Sequence, residues 1–104
     1  MQETIRADIA AKQQLEILLV VGYSSDQGGN GNITIIVATG SYPVEIYSIY
    51  VNNTLVPSYS GEWIQALTIK PINVTSPIPL TSGDKILVKI VHGGGSDEAW
   101  GEVH

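Results

Sequence analysis

Residues 32–51 read NITIIVATGSYPVEIYSIYV, and this stretch decides the fold class. It contains two runs rich in Ile, Val, Thr and Tyr, Asn32 to Thr39 and Val44 to Val51, on either side of a short turn with Gly and Pro. β-Branched and aromatic residues in runs of this length, bounded by turn residues, are typical of strands. The stretch therefore predicts two strands joined by a turn.

Similar strand-like runs lie on both sides of this stretch. The further predicted strands are Leu15 to Tyr23, the short run Leu55-Val56, Glu62 to Ile69, Lys85 to His92 and Ala99 to Val103. The predicted turns between runs are Ser24 to Gly31, Asn52-Asn53, and Thr81 to Asp84. The segment Pro71 to Pro79 holds three prolines and predicts an edge strand or a crossover, because Pro cannot donate to a sheet ladder. Together these runs predict an all-β fold, an immunoglobulin-like antiparallel β-sandwich of about seven strands.

The segment before the first strand has a different pattern. Ile5, Ile9 and Leu15 keep near-helical spacing, which predicts a helix from Gln2 to Gln14, so that residues 1–14 precede a sandwich domain of residues 15–104. The apolar stripe of this helix is narrow, which suits a partly exposed helix or one that continues from a membrane segment. No apolar run reaches membrane-spanning length, and the opening does not have the pattern of a signal peptide. Met1 fits either a native start or an engineered start placed after a removed membrane anchor.

Composition excludes several classes of function. Charged residues make up 14% of the chain, and the net charge is -5. Nucleic acids and anionic membrane headgroups are usually bound by clustered Lys and Arg, so neither is expected as a partner. The chain has no Cys, which excludes disulfides, Cys-type zinc sites and thiol catalysis.

Three clusters of polar residues or glycines resemble parts of known metal, phosphate or acid-base sites. Asp26, Asn30 and Asn32 are spaced like part of a calcium loop, but no carboxylate follows at the closing position, so a polar turn is predicted. Gly93-Gly94-Gly95 lacks the Lys-Ser/Thr of a phosphate loop and predicts a hairpin loop. The potential metal or acid-base residues near the end are interpreted as solvated loop charge: His92, Asp97, Glu98, Glu102 and His104. No enzyme activity, metal or cofactor is therefore expected.

The aromatic residues allow two interpretations. Tyr and Trp faces can stack on sugar rings, so an extracellular carbohydrate-binding or adhesion module is the alternative function. The residues in question are Tyr42, Tyr47, Tyr50, Tyr59, Trp63 and Trp100. In a domain without Phe, however, Tyr and Trp are expected to provide core volume, and Trp63 is predicted to be a central core residue.

Three Asn-x-Thr triplets begin at Asn32, Asn52 and Asn73. Such triplets are glycosylation candidates in a protein outside the cytoplasm, because the glycan requires an exposed acceptor. Asn52 is the favoured acceptor since it lies at a predicted turn. The alternative is that Asn and Thr are ordinary turn and strand residues here.

Two predicted strands are apolar on both faces. Strict alternation places Val44, Ile46, Ser48 and Tyr50 on one face of the third strand, and Glu45, Tyr47, Ile49 and Val51 on the other. The strand from Lys85 to His92 has the same two-sided character. Aliphatic residues on both faces indicate either that a helix, a partner or another copy covers one of them, or that apolar residues are simply scattered over the surface. The predicted interface residues are Tyr47, Ile49, Leu87, Val88 and Val91.

The strand from Gly31 to Val37, the turn and strand from Thr39 to Ile46, and the sequence Ile49-Tyr50-Val51-Asn52-Asn53 resemble the layout of the archaellum stator proteins F and G. The resemblance spans about Leu15 to Val103, and the short chain favours protein G. It implies an immunoglobulin-like domain outside the membrane of an archaeal cell, behind an N-terminal membrane anchor absent from this chain. It further implies a non-enzymatic stator role between membrane and surface layer. The implied partners are the other stator protein, the surface-layer protein and copies of the chain itself.

Overall fold

The computed structural model describes residues 12–25 and 29–104, and every secondary-structure element within them is a β-strand. The strands are β1 (Leu15–Tyr23), β2 (Asn32–Thr39), β3 (Val44–Val51), β4 (Thr54–Leu55), β5 (Glu62–Ile64), β6 (Ile69–Thr75), β7 (Lys85–His92) and β8 (Gly95–Val103). The helix predicted from Gln2 to Gln14 lies outside the described residues except for its last three positions. Asp26 of the predicted polar turn lies outside them as well.

The predicted limits of β1, β2, β3 and β7 are confirmed residue for residue. The last strand begins four residues earlier than predicted, because Gly93 and Gly94 form a tight turn that pairs His92 directly with Gly95. The predicted strand Glu62 to Ile69 is divided. It ends at Ile64, and Leu67 adopts a φ of 54° with its N–H donating to the Gly40 carbonyl at 2.8 Å before β6 begins.

Two antiparallel groups of strands build the fold. One group has the order β4-β3-β7-β8, with β5 also paired to β3, and the other has the order β1-β2-β6. A short parallel contact between β1 and β8, Val21 with Glu102 and Gly22 with Val103, joins the groups into one mixed eight-stranded sheet. The all-β class is thus confirmed. The predicted pair of separately bonded sheets is replaced by a single, strongly curled half-barrel, because β1 pairs with both β2 and β8.

The joint between the two groups depends on Gly101. A Cβ atom at this position would lie 2.5 Å from the Val20 carbonyl oxygen and nearer still to the Val20 side chain, closer than real Cβ contacts allow. Next to it, the N–H of His104 donates to the Gly22 carbonyl at 2.8 Å, and the N–H of Ser24 donates to the His104 carbonyl at 3.0 Å. Close approach of the backbones therefore holds β8 against β1 at this end of the molecule.

One aliphatic core lies inside the curl. Its buried hydrophobic side chains are all Ile, Val or Leu and come from both groups of strands. The prediction that Trp63 is a central core residue is wrong, since 59% of Trp63 is exposed. In β5 the inward position belongs to Ile64, which pairs with buried Val44, and alternation turns Trp63 outward beside Glu45.

β-Bulges interrupt β1 and β3. The register of β1 with β2 shifts between Ile17 and Leu19, and the register of β3 with β7 shifts between Ile46 and Ser48. The extra residue leaves two successive side chains on the outer side of the strand. In β1 this exposes Leu18 and Leu19, at 46% and 50%. The bulges therefore produce exposed apolar side chains that a simple alternating pattern does not predict.

β6 is an edge strand. The sequence predicted either an edge strand or a crossover for the proline-rich segment, and the first alternative holds. β6 pairs with β2 alone. The N–H of Thr39 donates to the Thr68 carbonyl at 2.9 Å, and the N–H of Ser76 donates to the Gly31 carbonyl at 3.0 Å. The N–H and carbonyl groups of the even-numbered residues along β6 therefore point toward β2. The nitrogen of Pro71, an odd-numbered position, consequently faces away from the sheet, where its missing N–H breaks no ladder bond.

Candidate interaction surface

The outer side of the β7–β8 hairpin carries a patterned surface, here called the β7–β8 face. Alternation in β7 turns Ile86, Val88 and Ile90 into the core. The face is formed by the intervening residues of β7 and their register partners on β8: Lys85, Leu87, Lys89, Val91, Ser96, Glu98, Trp100 and Glu102. A regular hairpin register therefore determines which side chains lie next to one another on this face.

Charges on this face alternate with apolar residues. Lys85 lies opposite Glu102, and Lys89 lies opposite Glu98. Directly opposed residues on one face have Cβ atoms about 5 Å apart, near enough for long side chains to interact. Even so, none of these four side chains forms an ion pair within the described part of the chain, where the Lys side chain that does so is Lys70, paired with Glu62. The four charges thus keep their capacity to bind a partner.

Trp100 is the most prominent apolar residue of the face. It pairs with half-buried Leu87 between the two opposed charge pairs, and 67% of its surface is exposed. A groove of about 600 Å³ runs beside it, lined also by Val20, Lys85, Gly101 and Glu102. Trp is enriched at the centres of protein interfaces, and polar residues form the rim around such centres.

The predicted interface residues fall on two sides of the sheet. Tyr47, on the β3 bulge, is 52% exposed, and Leu87 and Val91 lie half-buried on the β7–β8 face. Ile49 and Val88 are completely buried in the core, so their assignment to an interface is wrong. For Ile49 the physical reason is the bulge, which turns both Ile46 and Ile49 inward although they are three residues apart.

His92 and Asp97 form a pair in a cleft of about 460 Å³ between the start of β1 and the β7–β8 hairpin. The His92 Nε2 lies 2.7 Å from an Asp97 carboxylate oxygen, and its Nδ1 accepts from the Gly94 N–H at 3.1 Å. Because Nδ1 is an acceptor, the Nε2 atom carries the proton, and this N–H donates a hydrogen bond to the Asp97 carboxylate. Both ring nitrogens are satisfied, so the pair fastens the hairpin turn.

The other members of the predicted C-terminal cluster are not brought together with this pair. Glu98 and Glu102 lie on the β7–β8 face, and the His104 ring lies 6.4 Å from the Tyr23 ring at the opposite end of β8. No group of three His, Cys, Asp or Glu side chains suited to a metal exists among the described residues. The Gly93-Gly94-Gly95 segment is the hairpin connection that its sequence predicted.

Tyr59 has a clearly perturbed pKa. Burial raises the pKa of its hydroxyl well above the ordinary value, and the neighbouring Glu62 carboxylate raises it further. Glu62 itself forms an ion pair with Lys70. The Tyr59 side chain packs against the hydrophobic core.

All three candidate glycosylation sites are exposed. Asn52 and Asn53 occupy the β3–β4 turn with φ angles of 49° and 67°, and the Asn52 side chain accepts from Leu87 N–H at 2.9 Å. The other two triplets lie side by side in antiparallel register, with Asn32 opposite Thr75 and Asn73 opposite Thr34. The Thr34 hydroxyl donates to Asn73 Oδ1 at 2.7 Å. The Asn73 side chain is thereby held against the sheet.

Comparison with known proteins identifies a similar fold among solved structures. No protein-family model matches the chain. None of the curated proteins searched matches it either. Among solved structures, a chain of the archaeal flagellum of Methanospirillum hungatei strain JF1 is similar, with a TM-score of 0.70 and 18% sequence identity. The similarity covers 98% of this chain and 73% of that chain.

At this level of identity the match establishes a common fold. It agrees with the resemblance to archaellum proteins, but it does not separate one archaellum component from another. Within the described residues no helix has the length and hydropathy of a membrane span. The chain thus has the β-rich fold of an archaellum component.

Proposed function

We propose that this chain is a non-enzymatic structural component of an archaellum that acts through protein interfaces. The observation that carries the proposal is the fold match to the archaeal flagellum over 98% of the chain. The surface supports it, because Trp100 and Tyr47 are exposed on strands while the described part holds no metal-type cluster.

The stator role is the finer part of this proposal. In it, the domain of residues 15–104 stands outside the cell membrane, residues 1–14 lead to an anchor, and the partners are the other stator protein, the surface-layer protein and further copies. We also propose that the fold is immunoglobulin-like. This classification is supported by the two strand groups, which enclose one core and are joined where β1 pairs with β8. Glycosylation at Asn32, Asn52 or Asn73 would suit that location, and the exposure of all three supports it.

Deletion of the gene in its own organism tests the proposal. Loss of a stator component should leave filaments that assemble but do not drive swimming, whereas loss of a filament subunit should leave cells without filaments. Electron microscopy combined with swimming assays distinguishes these phenotypes. Normal filaments and normal swimming in the deletion strain would contradict any archaellum role.

A carbohydrate-binding role is the second candidate, and the exposure of both Trp63 and Trp100 favours it. Exposed indole rings are available to stack on sugars and would report binding directly. Titration with cell-envelope glycans while Trp fluorescence is recorded provides the test. Saturable quenching that Trp63→Ala or Trp100→Ala abolishes would favour this function over the structural one.

A further inference from the structure

We propose that the β7–β8 face binds the same face of a second copy of this chain, with a two-fold axis parallel to the strands. This inference rests on the geometry of the face and not on the archaellum assignment. It concerns an isologous pair, in which the same surface of both copies is used.

The first argument is the position of the charges. Both Lys residues of the face lie on β7, and Glu98 and Glu102 lie on β8 in register with them. Rotation about an axis that runs between the two strands, in the plane of contact, places β7 of one copy over β8 of the other. Lys85 of one copy then faces Glu102 of the second copy at the same level along the strands. Lys89 faces Glu98 in the same way, and each contact occurs twice.

The second argument is the centre of the face. Leu87 and Trp100 share one level between the two charged levels. The same rotation places Trp100 of each copy over Leu87 of the other, so that the exposed indole rings are buried at the centre of the pair. Charged contacts then surround an apolar centre, the arrangement in which aromatic anchors contribute most to binding.

The third argument identifies the occupant as a second copy. The chain has ten acidic and five basic residues and a net charge of -5, so most contacts between copies bring carboxylates together. The β7–β8 face carries two Lys and two Glu, and none of the four forms an ion pair within the described residues. A locally neutral and self-complementary face on an acidic chain is the place where two copies repel each other least.

Charge-reversal variants test the arrangement by sedimentation equilibrium as a function of concentration. In the Lys85→Glu/Lys89→Glu variant both strands carry Glu, and in Glu98→Lys/Glu102→Lys both carry Lys. We expect each double variant alone to associate at least about tenfold more weakly than the wild-type chain, because like charges meet across the two-fold axis. An equimolar mixture of the two should regain association. The quadruple variant combines all four changes, so that β7 carries the two Glu residues and β8 the two Lys residues. It keeps the wild-type net charge and should also self-associate.

A pair of tryptophan variants provides the matched control. Trp100→Ala should weaken association about thirtyfold, as expected for a central aromatic anchor. Trp63→Ala should leave it unchanged, since Trp63 lies three strands away and about six positions further along the strand direction, roughly 25 Å from Trp100. Far-ultraviolet circular dichroism and urea midpoints verify that each variant is folded.

Several results would overturn the proposal. A wild-type chain that remains monomeric up to millimolar concentration lacks the interaction. Failure of the mixed double variants and of the quadruple variant to associate would exclude the face-to-face geometry. Equal effects of the Trp63 and Trp100 substitutions would place the contact elsewhere on the molecule. The proposed archaellum function would survive each of these results, because its test is the phenotype of the deletion strain.

Discussion

The bulge in β3 determines which of two neighbouring side chains contributes to stability. Ile49 is fully buried, whereas Tyr47, two residues earlier, is 52% exposed. Ile49→Ala removes three buried carbon atoms, which corresponds to about 2.4 kcal/mol of transfer free energy, and the cavity left behind raises the cost to about 3–4 kcal/mol. Tyr47→Ala removes a side chain from the strand surface, and its cost is expected to be about 1 kcal/mol or less.

Urea unfolding of the two variants checks these magnitudes. With a slope of about 1.5 kcal/mol per molar urea, Ile49→Ala should lower the midpoint by about 2 M and Tyr47→Ala by less than about 1 M. Ile46→Ala is the internal control, because Ile46 is 1% exposed on the other side of the bulge and should behave like Ile49→Ala. In an uninterrupted strand, Tyr47 and Ile49 would share a face and Ile46 would lie on the opposite one. Equal costs for Tyr47→Ala and Ile49→Ala, with a small cost for Ile46→Ala, would refute the bulge.

Substitutions at three further positions address other parts of the fold. Gly101→Ala places a Cβ against the Val20 carbonyl and should cost about 1–3 kcal/mol in urea unfolding, with the loss of hydrogen-exchange protection concentrated where β1 meets β8. At Asn53, where φ is 67°, the change to Ala should cost about 1 kcal/mol while the change to Gly retains or raises stability, as a comparison of melting curves would show. Tyr59 should ionise only above the pH range in which a tyrosine side chain ordinarily does, because its folded pKa is raised. Since the unfolded phenol loses its proton from about pH 10 upward while the folded one retains it, Tyr59 makes stability fall as pH rises through that range. Tyr59→Phe should remove this alkaline slope and the late phase of absorbance at phenolate wavelengths.

Local pattern was sufficient to locate most strands. The runs that became β1, β2, β3 and β7 combine β-branched residues with clear turn signals, and their limits followed from sequence. The prolines of the segment Pro71 to Pro79 indicated an edge strand or a crossover, and the first of these alternatives holds for β6, because a missing N–H is tolerated at a sheet edge. The division at Leu67 was not predictable, since a Leu with positive φ has no compositional signal.

The surface was less predictable than the strands. A bulge adds one residue without any distinctive residue type, so strict alternation placed Ile49 on the same face as Tyr47 and led to its assignment to an interface. Trp63 was assigned to the core by size alone, although in its short strand the inward position went to Ile64. The β7–β8 face illustrates a missed signal: Lys85, Lys89, Glu98 and Glu102 are all visible in the sequence. Their complementarity emerges only from a register that depends on the two-residue Gly93-Gly94 turn.

The parallel contact between β1 and β8 also determines how the domain responds to tension. Leu15 begins β1 at one end of the molecule, and Val103 ends β8 at the other, next to Gly22. A force that pulls these two residues apart acts along the strands and loads the bonds of the short β1–β8 contact together, in shear, whereas a force across two paired strands would open their bonds one at a time. The domain should therefore resist stretching between its first and last strands, and single-molecule pulling should find a much lower rupture force when the load is applied at Tyr23 and Asn32 instead. Such a direction-dependent resistance would allow the β-domain to transmit mechanical load along its length without unfolding.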